Sequence, residues 1–335
     1  MEVVDSKPNR NLLAKLIRRL VPYVFGGVFL FILPSFIPTY MLSMLIKIFI
    51  FALLAISLDF IWGYGGLISL GHAAFFGIGG YVVGVLMMHY TITSFWIITP
   101  IGILVAAIIA AIFGIIALRV SGSYFLLLTA ALGQLLFSLA WKWRWLSSEG
   151  VEGIAGIIHP DLGWQGLEWT NVTFYYFVLL VFILCYVVLY KIVKSPFGLA
   201  LQGIREDELR MRALGFHTWA HKYIAYMIAA VFASISGMLF AYQNGVIVPE
   251  SLAIGNSTMA LLIVIIGGVG TLYGPVVGTA IIIPLEFYAG VFTPERWPLI
   301  LGGAFVISIM FFRKGVGVYF FNLWGSRKAV GSIKD

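Results

Sequence analysis

Apolar runs long enough to cross a lipid bilayer recur along the whole of this chain. Residues 97–118 and 174–190 are two of them, and each approaches or reaches the roughly 20 residues that a membrane-spanning helix needs. Of the 335 residues, 61% are hydrophobic and only 10% are charged, with a mean hydropathy of +1.02. Soluble domains carry about a quarter charged residues and cannot bury so much apolar surface. The sequence therefore predicts an all-α fold, a polytopic bundle of transmembrane helices.

The apolar pattern predicts a series of crossings and leaves one segment with two interpretations. Segment 257–290 must leave and return to the same side, either as two crossings or as a re-entrant hairpin with residues 267–274 at its tip. The bundle then has about eight to ten membrane segments, since the remaining apolar runs supply the others. These other predicted crossings lie at 21–39, 40–60, 70–89, 96–118, 124–141, 174–190, 223–243 and 298–312.

Basic residues determine the predicted orientation. Five lie within the first twenty residues, which show no cleavable signal peptide, and six lie within residues 191–222. The positive-inside rule places both segments in the cytoplasm, so the net charge of +7 indicates topology rather than nucleic-acid binding. We divide the chain into a cytoplasmic N-terminal segment (1–20), one transmembrane domain (21–317) with a cytoplasmic loop (192–221) and an external loop (142–172), and a cytoplasmic tail (318–335).

The first of two glycine-rich interruptions lies in LDFIWGYGGLISLGHAAFFGIGGYVVG, residues 58–84. Three clustered glycines, Gly63, Gly65 and Gly66, disfavour a continuous helix. Ser69 is a candidate N-cap for a helix that restarts at Leu70. The free N–H groups of a helix start inside the membrane suit a substrate carboxylate, provided that they line a wet cavity.

Close helix packing is the alternative explanation of these small residues. It fits the segment from Ala73 to Gly84, where Gly80 and Gly84 form a GxxxG motif, better than the segment from Gly63 to His72. His72 has two readings of its own, a hydrogen-bonded structural histidine or a ligand for the solute.

The second interruption is IIGGVGTLYGPVVGTA, residues 265–280. Its glycines precede Gly274 and Pro275, and a proline suits the first turn of a new helix. We interpret both interruptions as parts of one central path, as in transporters with discontinuous helices. The candidate path residues from the two motifs are Gly63, Gly65, Gly66, Ser69, Gly71, His72, Gly267, Gly268 and Gly270.

A charged segment between two crossings, KSPFGLALQGIREDELRMRALGF, is too polar to span the membrane. Its mixed charges predict a helix near Leu199–Leu214 that ends at Gly215. Such a short surface helix is either an ordinary solvated loop or a docking element for another protein.

Four motifs together resemble one known family. They are GYGGLISLGHAAFFGIGGY, RVSGSYFLLLTAALGQ, SPFGLALQGIREDELRMRALGF and IIGGVGTLYGPVVGTA, in this order within residues 40–317. Sequence, spacing and predicted sidedness are similar to those of the branched-chain amino acid ABC permeases, specifically the LivM-type subunits.

The resemblance implies an importer of several chains in a bacterial inner membrane. A homologous LivH-type permease subunit would form the pore with this chain, two cytoplasmic ATP-binding subunits would dock on it, and a periplasmic or lipoprotein solute-binding protein would deliver the solute. The chain has no GxxxxGK[ST] phosphate loop, so ATP would be bound by the partner subunits, and we expect no cofactor or metal in this chain and no partner besides these subunits and membrane lipid. The implied ATPase-coupling residues are Gly203, Arg205, Glu206, Glu208, Arg212 and Gly215.

Departures from the family pattern concern the path and the external loop. Asp59 stands where the family usually has Asn, Leu67 where it often has Gln, and Ser148-Glu149-Gly150 where it has Thr-Gly-Gly. Because a carboxylate at membrane depth is costly unless paired or hydrated, Asp59 is a further path candidate, with Lys47 as its suggested partner. Asp59 at the cytoplasmic boundary, outside the path, is the alternative.

Two other function classes compete with an ABC permease. A membrane enzyme is disfavoured because the five histidines and the single Cys185 show no metal-binding spacing, and no Ser/His/Asp set shares one predicted membrane face. A secondary transporter or channel fits the interrupted helices but not the charged loop. The solute stays open among branched-chain amino acids, other amino acids, urea, amides and aromatic acids.

Overall fold

A computed structural model describes residues 30–143, 153–163 and 168–292, together with single positions between 296 and 319. The predicted crossings at 21–39 and 298–312, the N-terminal segment and the tail lie wholly or largely outside the described residues. The helices are α1 (Thr39–Asp59), α2 (His72–Met88), α3 (Phe95–Ala117), α4 (Ser123–Lys142), α5 (Asn171–Lys194), α6 (Pro196–Glu206), α7 (Glu208–Ala213), α8 (Thr218–Asn244), α9 (Ile254–Gly267) and α10 (Gly274–Phe292). Two short strands, β1 (Ile154–Ala155) and β2 (Val246–Ile247), pair antiparallel.

Six of these helices are long and apolar enough to cross a membrane within the described part of the chain: α1, α3, α4, α5, α8 and α10. The prediction of an all-α transmembrane bundle is therefore confirmed. Helices α1 and α8 are its centre, because 72% and 67% of their most apolar stretches are buried, against 22–39% in the other four. The apolar helices α2 and α9 are shorter, with 17 and 14 residues.

Glycines bring α2 and α8 into close contact. A Cβ atom on Gly79 would collide with the Ser234 carbonyl, and one on Gly237 would collide with the Phe76 carbonyl. Small residues at such crossings let two backbones approach, which is how apolar helices gain contact within a membrane. Gly80 and Gly84 belong to the same helix and contact Ile247 and Ile154, so this half of the first motif serves packing.

The first interruption follows α1 directly. Phe60–Tyr64 forms a π-helical turn, residues 65–71 are irregular, and α2 begins at His72. The predicted restart at Leu70 with Ser69 as N-cap is wrong, because Gly71 occupies the cap position and its N–H donates to Ser69 Oγ at 3.3 Å.

Segment 257–290 forms two packed helices, α9 and α10, joined by residues 268–273. Gly278 lies against the Ile263 carbonyl, where a side chain would collide. Gly274 opens α10 and Pro275 follows it within the first turn, so the proline position agrees with the sequence expectation.

The β1–β2 pair marks one end of the bundle. It ties residues 154–155 to the chain directly after α8, with Ile154 opposite Ile247. Helices α6 and α7 precede the start of α8 and therefore lie at the opposite end. We call these the hairpin end and the loop end.

Candidate functional site

The two glycine-rich interruptions meet at the loop end. Gly63 packs so closely on Gly270 that a Cβ atom there would collide with the Gly270 backbone. Gly270 has a φ of 79° and Gly268 a φ of 113°, and residues with a Cβ atom rarely adopt such positive φ angles. We call the contact of residues 59–66 with residues 268–272 the break junction.

Asp59 holds the break junction together from inside the protein. The residue is fully buried, and its Oδ1 accepts a hydrogen bond from the Gly270 N–H at 2.7 Å. The suggested pairing of Asp59 with Lys47 is wrong, because the Lys47 ammonium contacts Glu286 on α10 at 3.1 Å. Asp59 Oδ2 has no hydrogen-bond partner among the described residues.

Helix α6 reaches the break junction through Arg205. Its guanidinium donates to the Gly63 carbonyl, and its aliphatic carbons lie against Gly66, which has a φ of 72°. Gly65 lies beside Leu201 of the same helix. The charged loop therefore contacts both the first interruption and, through Gly63, the second.

Helix α2 begins with its backbone donors already paired. The Leu70 N–H donates to Thr129 Oγ1 at 3.2 Å, and the Ala73 N–H donates to Ser257 Oγ at 2.8 Å. The expectation of free N–H groups at this helix start is therefore wrong for Leu70 and Ala73. Hydroxyl groups from α4 and α9 instead accept from Leu70, just before the helix, and from Ala73 in its first turn.

Two further path candidates lie deep in the protein. His72 is fully buried, with its ring Nε2 at 2.9 Å from Ser57 Oγ. Gly71 packs on the Thr129 carbonyl of α4, where a side chain would collide. The structure thus brings the predicted residues of the first motif together with α4 and α9 as well as with the second motif.

The second motif has its own glycine contacts. Gly267 abuts Gly274 across the turn, and Gly268 lies against Gly315. Of the candidate glycines of this motif, Gly267 ends α9, whereas Gly268 and Gly270 lie in the turn that follows, and their close contacts are mostly with backbone atoms.

The charged loop contains two helices rather than the single predicted one. Asp207 separates α6 from α7, and its Oδ1 accepts the Arg210 N–H at 3.0 Å as an N-cap. Ser195 caps α6 in the same way, by accepting the Gly198 N–H. The predicted end of the segment is correct, since α7 stops at Ala213 and Gly215 has a φ of 88°.

Glu208 anchors α7 to the start of α8. Its carboxylate accepts from Arg212 at 2.7 Å, from Thr218 at 2.9 Å and from Lys222 at 2.5 Å. Partial burial acts to raise the pKa of Glu208, but the hydrogen bonds from these three groups outweigh it and lower the pKa below its ordinary value. Of the other coupling candidates, Gly203 faces the Met211 sulfur, and Glu206 is the last residue of α6.

Sequence reasoning missed Thr129, Ser257 and Glu286. Each is a polar residue within a mostly apolar helix. This polarity was the only signal in the sequence, because polar groups in a membrane need partners. Their partners lie 59, 184 and 239 positions away, so spacing along the chain did not reveal them.

The histidines considered for a membrane enzyme lie in separate surroundings, except that the His221 ring contacts the His217 carbonyl at 2.9 Å. His159 packs against Trp169 and Phe174, and His221 stacks on Phe197. Within the described ranges, no three His, Cys, Asp or Glu side chains form a cluster that suits a metal ion.

Comparison with known proteins shows the family of the chain. The sequence profile described as "Branched-chain amino acid transport system / permease component" matches residues 40–310. LivM of Escherichia coli, named a high-affinity branched-chain amino acid transport system permease protein, is 30% identical over 289 residues, which cover 80% of this chain and 67% of the relative. A probable LivM of Methanocaldococcus jannaschii is 25% identical over 71% of this chain and 78% of its own length.

A second kind of permease subunit is also similar. LivH of Salmonella typhimurium is 24% identical over 286 residues, which cover 78% of this chain and 88% of the relative. No solved structure matches the chain. The described residues thus form a multi-pass membrane protein whose similarity covers the interrupted helices and the loop, and the chain belongs to the family of branched-chain amino acid ABC transporter permeases, as a LivM-type subunit.

Proposed function

We propose that this chain is the membrane-spanning subunit of an ATP-driven importer that moves branched-chain amino acids, or a closely related small solute, by alternating access. The observation that carries the proposal is the contact of Arg205 with Gly63. Through it, a helix of the charged loop touches the point where both membrane interruptions meet. A movement imposed on α6 from outside the chain would act directly on the break junction.

The proposed path runs past the break junction. Its residues are the nine candidates from the two motifs together with Asp59, and the fold gathers them around α1, α2 and the turn between α9 and α10. Residues 60–71 and 268–273 interrupt regular α-helix there, and non-helical backbone at membrane depth is tolerated where protein or a water-filled cavity surrounds it. In the described conformation the junction is closed by backbone contacts, which suits a path sealed at the loop end.

The proposed partners follow from the family. A LivH-type subunit would complete the pore, and two ATP-binding subunits would dock on α6 and α7, where Gly203, Arg205, Glu206, Glu208, Arg212 and Gly215 lie. A solute-binding protein would deliver solute at the hairpin end. We place the loop end and the N-terminus in the cytoplasm of a bacterial cell, on the inner face of its membrane, because the basic residues concentrate there.

The test is uptake of radiolabelled leucine by vesicles that contain this chain with its proposed partners. We expect uptake only when the binding protein, the ATPase subunits and ATP are all present. A matched complex whose ATPase carries an inactivated phosphate loop is the control for leakage. Leucine uptake by this chain without any ATPase, driven by an ion gradient, would contradict the proposal and favour a secondary transporter.

A further inference from the structure

Two opposite charges face each other half-way along the membrane-spanning helices. Lys47 lies twelve residues before the end of α1, and Glu286 lies twelve residues after the start of α10. At 1.5 Å per residue, both are about 18 Å from the loop end of their helices. The Lys47 ammonium contacts Glu286 Oε2 at 3.1 Å, so the pair joins α1 and α10 near mid-depth.

Among the described residues, the pair is accessible and only partly satisfied by hydrogen bonds. The two side chains keep 37% and 22% of their surface exposed, although both lie within apolar helices. An ammonium has three donors and a carboxylate has two acceptor oxygens, and this contact uses one of each. The Lys47 ammonium also lies 5.6 Å from the centre of the Phe51 ring, which favours the cation without consuming a hydrogen bond.

Aromatic and polar groups fix the surroundings of the pair. Tyr40 and Phe287 stack edge to face at 5.1 Å, one on each of the two helices. Gln243 of α8 donates to the Ser43 carbonyl at 2.8 Å, one turn before Lys47, and so holds α8 against this side of α1. The charges therefore lie on a defined face with apolar rings on either side.

We propose that Lys47 and Glu286 form a mid-membrane binding station for the zwitterionic head of an amino acid, an inference that rests on the proposed function. The carboxylate of the solute would accept a hydrogen bond from the Lys47 ammonium, and the ammonium group of the solute would donate one to the Glu286 carboxylate. Ionisable groups inside a membrane are costly and commonly mark a solute pathway. The apolar side chain of the solute would lie against the neighbouring rings.

Charge balance selects a zwitterion over other solutes. The pair has no net charge, so a simple anion meets Glu286 as well as Lys47, and a simple cation meets Lys47 as well as Glu286. A zwitterion replaces one ion pair by two and leaves no charge unpaired, whereas a singly charged solute leaves either Lys47 or Glu286 without an opposite charge.

The test is solute protection of single introduced cysteines, which is practical because the sequence contains only one cysteine to replace. With the buried Cys185 replaced by alanine, Ser43→Cys places a thiol one turn before Lys47, and Met41→Cys places a control thiol on a different face of the same helix. In the assembled complex, leucine should slow reaction of the first thiol with a small polar reagent and leave the second unchanged. Leucinamide and 4-methylpentanoate, which lack one of the two charges, should protect much less.

The neutral double variant Lys47→Met/Glu286→Gln separates recognition from folding, since it leaves no charge unpaired. It should need at least about tenfold more leucine for half-protection, the loss expected for charge-assisted hydrogen bonds. Unchanged protection in this variant, equal protection by the two analogues, or a Ser43→Cys thiol that stays unreactive in every state would overturn the inference. ATP-driven leucine uptake is also measured in vesicles that contain the complex with Lys47 and Glu286 unaltered. If these vesicles take up leucine but any of the contradicting results is found, only the binding station is refuted. If they take up no leucine, the proposed function is refuted as well.

Discussion

Asp59 shows how a polar side chain is accommodated at the end of an apolar helix. Its carboxylate is buried and accepts a hydrogen bond from the N–H of Gly270, a residue 211 positions away. The acceptor is needed because Gly270, with its positive φ, turns its N–H toward α1 instead of into a helix. One side-chain oxygen thus joins the two interruptions.

Replacement of Asp59 by alanine should destabilise the break junction. It leaves the buried Gly270 N–H without its acceptor, which costs about 1–3 kcal/mol. We expect a lower thermal unfolding temperature of the purified complex. Asp59→Asn is the matched control, because the amide keeps an oxygen acceptor of similar shape; equal unfolding temperatures for the two variants would contradict the role assigned to this hydrogen bond.

Gly63 provides the second prediction at this scale. Gly63→Ala would force its new methyl group into the Gly270 backbone, so the two interruptions must separate. Leucine uptake should fall sharply. Gly84→Ala tests the same change in α2, where the three nearest atoms belong to the Ile154 side chain at 3.1–3.2 Å rather than to backbone, and should keep most of the uptake. Similar uptake in both variants would show that the Gly63 contact is dispensable.

Caps divide the charged loop into two helices with different attachments. Ser195 and Pro196 start α6, which contacts the break junction through Arg205. Asp207 starts α7, which is tied to α8 through Glu208. The two helices therefore connect one surface of the protein to two different parts of the bundle.

Charge reversal at Arg205 should uncouple the ATPase from the permease. Arg205→Glu removes the donor to the Gly63 carbonyl and places a carboxylate near Asp59, so stimulated ATP hydrolysis and uptake should be lost while the complex still assembles. Lys191→Glu is the control, since it reverses an exposed charge in the last turn of α5, at the loop end but outside the two proposed docking helices. Normal turnover by the Arg205→Glu complex would argue against coupling through α6.

The whole molecule is organised around α1 and α8. These central helices carry the contacts to α2, α5 and α10, and the interruptions meet where α1 ends and α8 begins. The loop end thus combines glycine-rich backbone contacts with charged surface helices, whereas the hairpin end is held by the β1–β2 pair.

Orientation can be tested with two exposed positions at opposite ends. On a background with Cys185 replaced, Ile158→Cys near β1 should react with a membrane-impermeant thiol reagent in spheroplasts, and Leu209→Cys on α7 should react only in inverted vesicles. The two side chains are 56% and 77% exposed, so access differs by side rather than by burial. The reverse labelling pattern would invert the proposed topology.

Apolar run length predicted most of the bundle from the sequence alone. Six described helices agree with predicted crossings to within a few residues, because a membrane span depends on local composition. Glycine clusters likewise marked both interruptions, since the loss of helix propensity is a property of those residues themselves. The sequence alone therefore predicted where the candidate path and coupling residues lie along the chain, and their motifs showed the resemblance to the permease family.

Only the tertiary structure decided which polar groups meet. Lys47 pairs with Glu286 rather than Asp59, and the donors of Leu70 and Ala73 find Thr129 and Ser257. Each choice depends on how closely two helices approach and on which face each one presents, which the packing of the whole bundle sets. Residues 60–71 were recognisable as an interruption from their glycines, but its contact with residues 268–272 and with Arg205 exists only once α1, α6 and the α9–α10 turn have come together at one end.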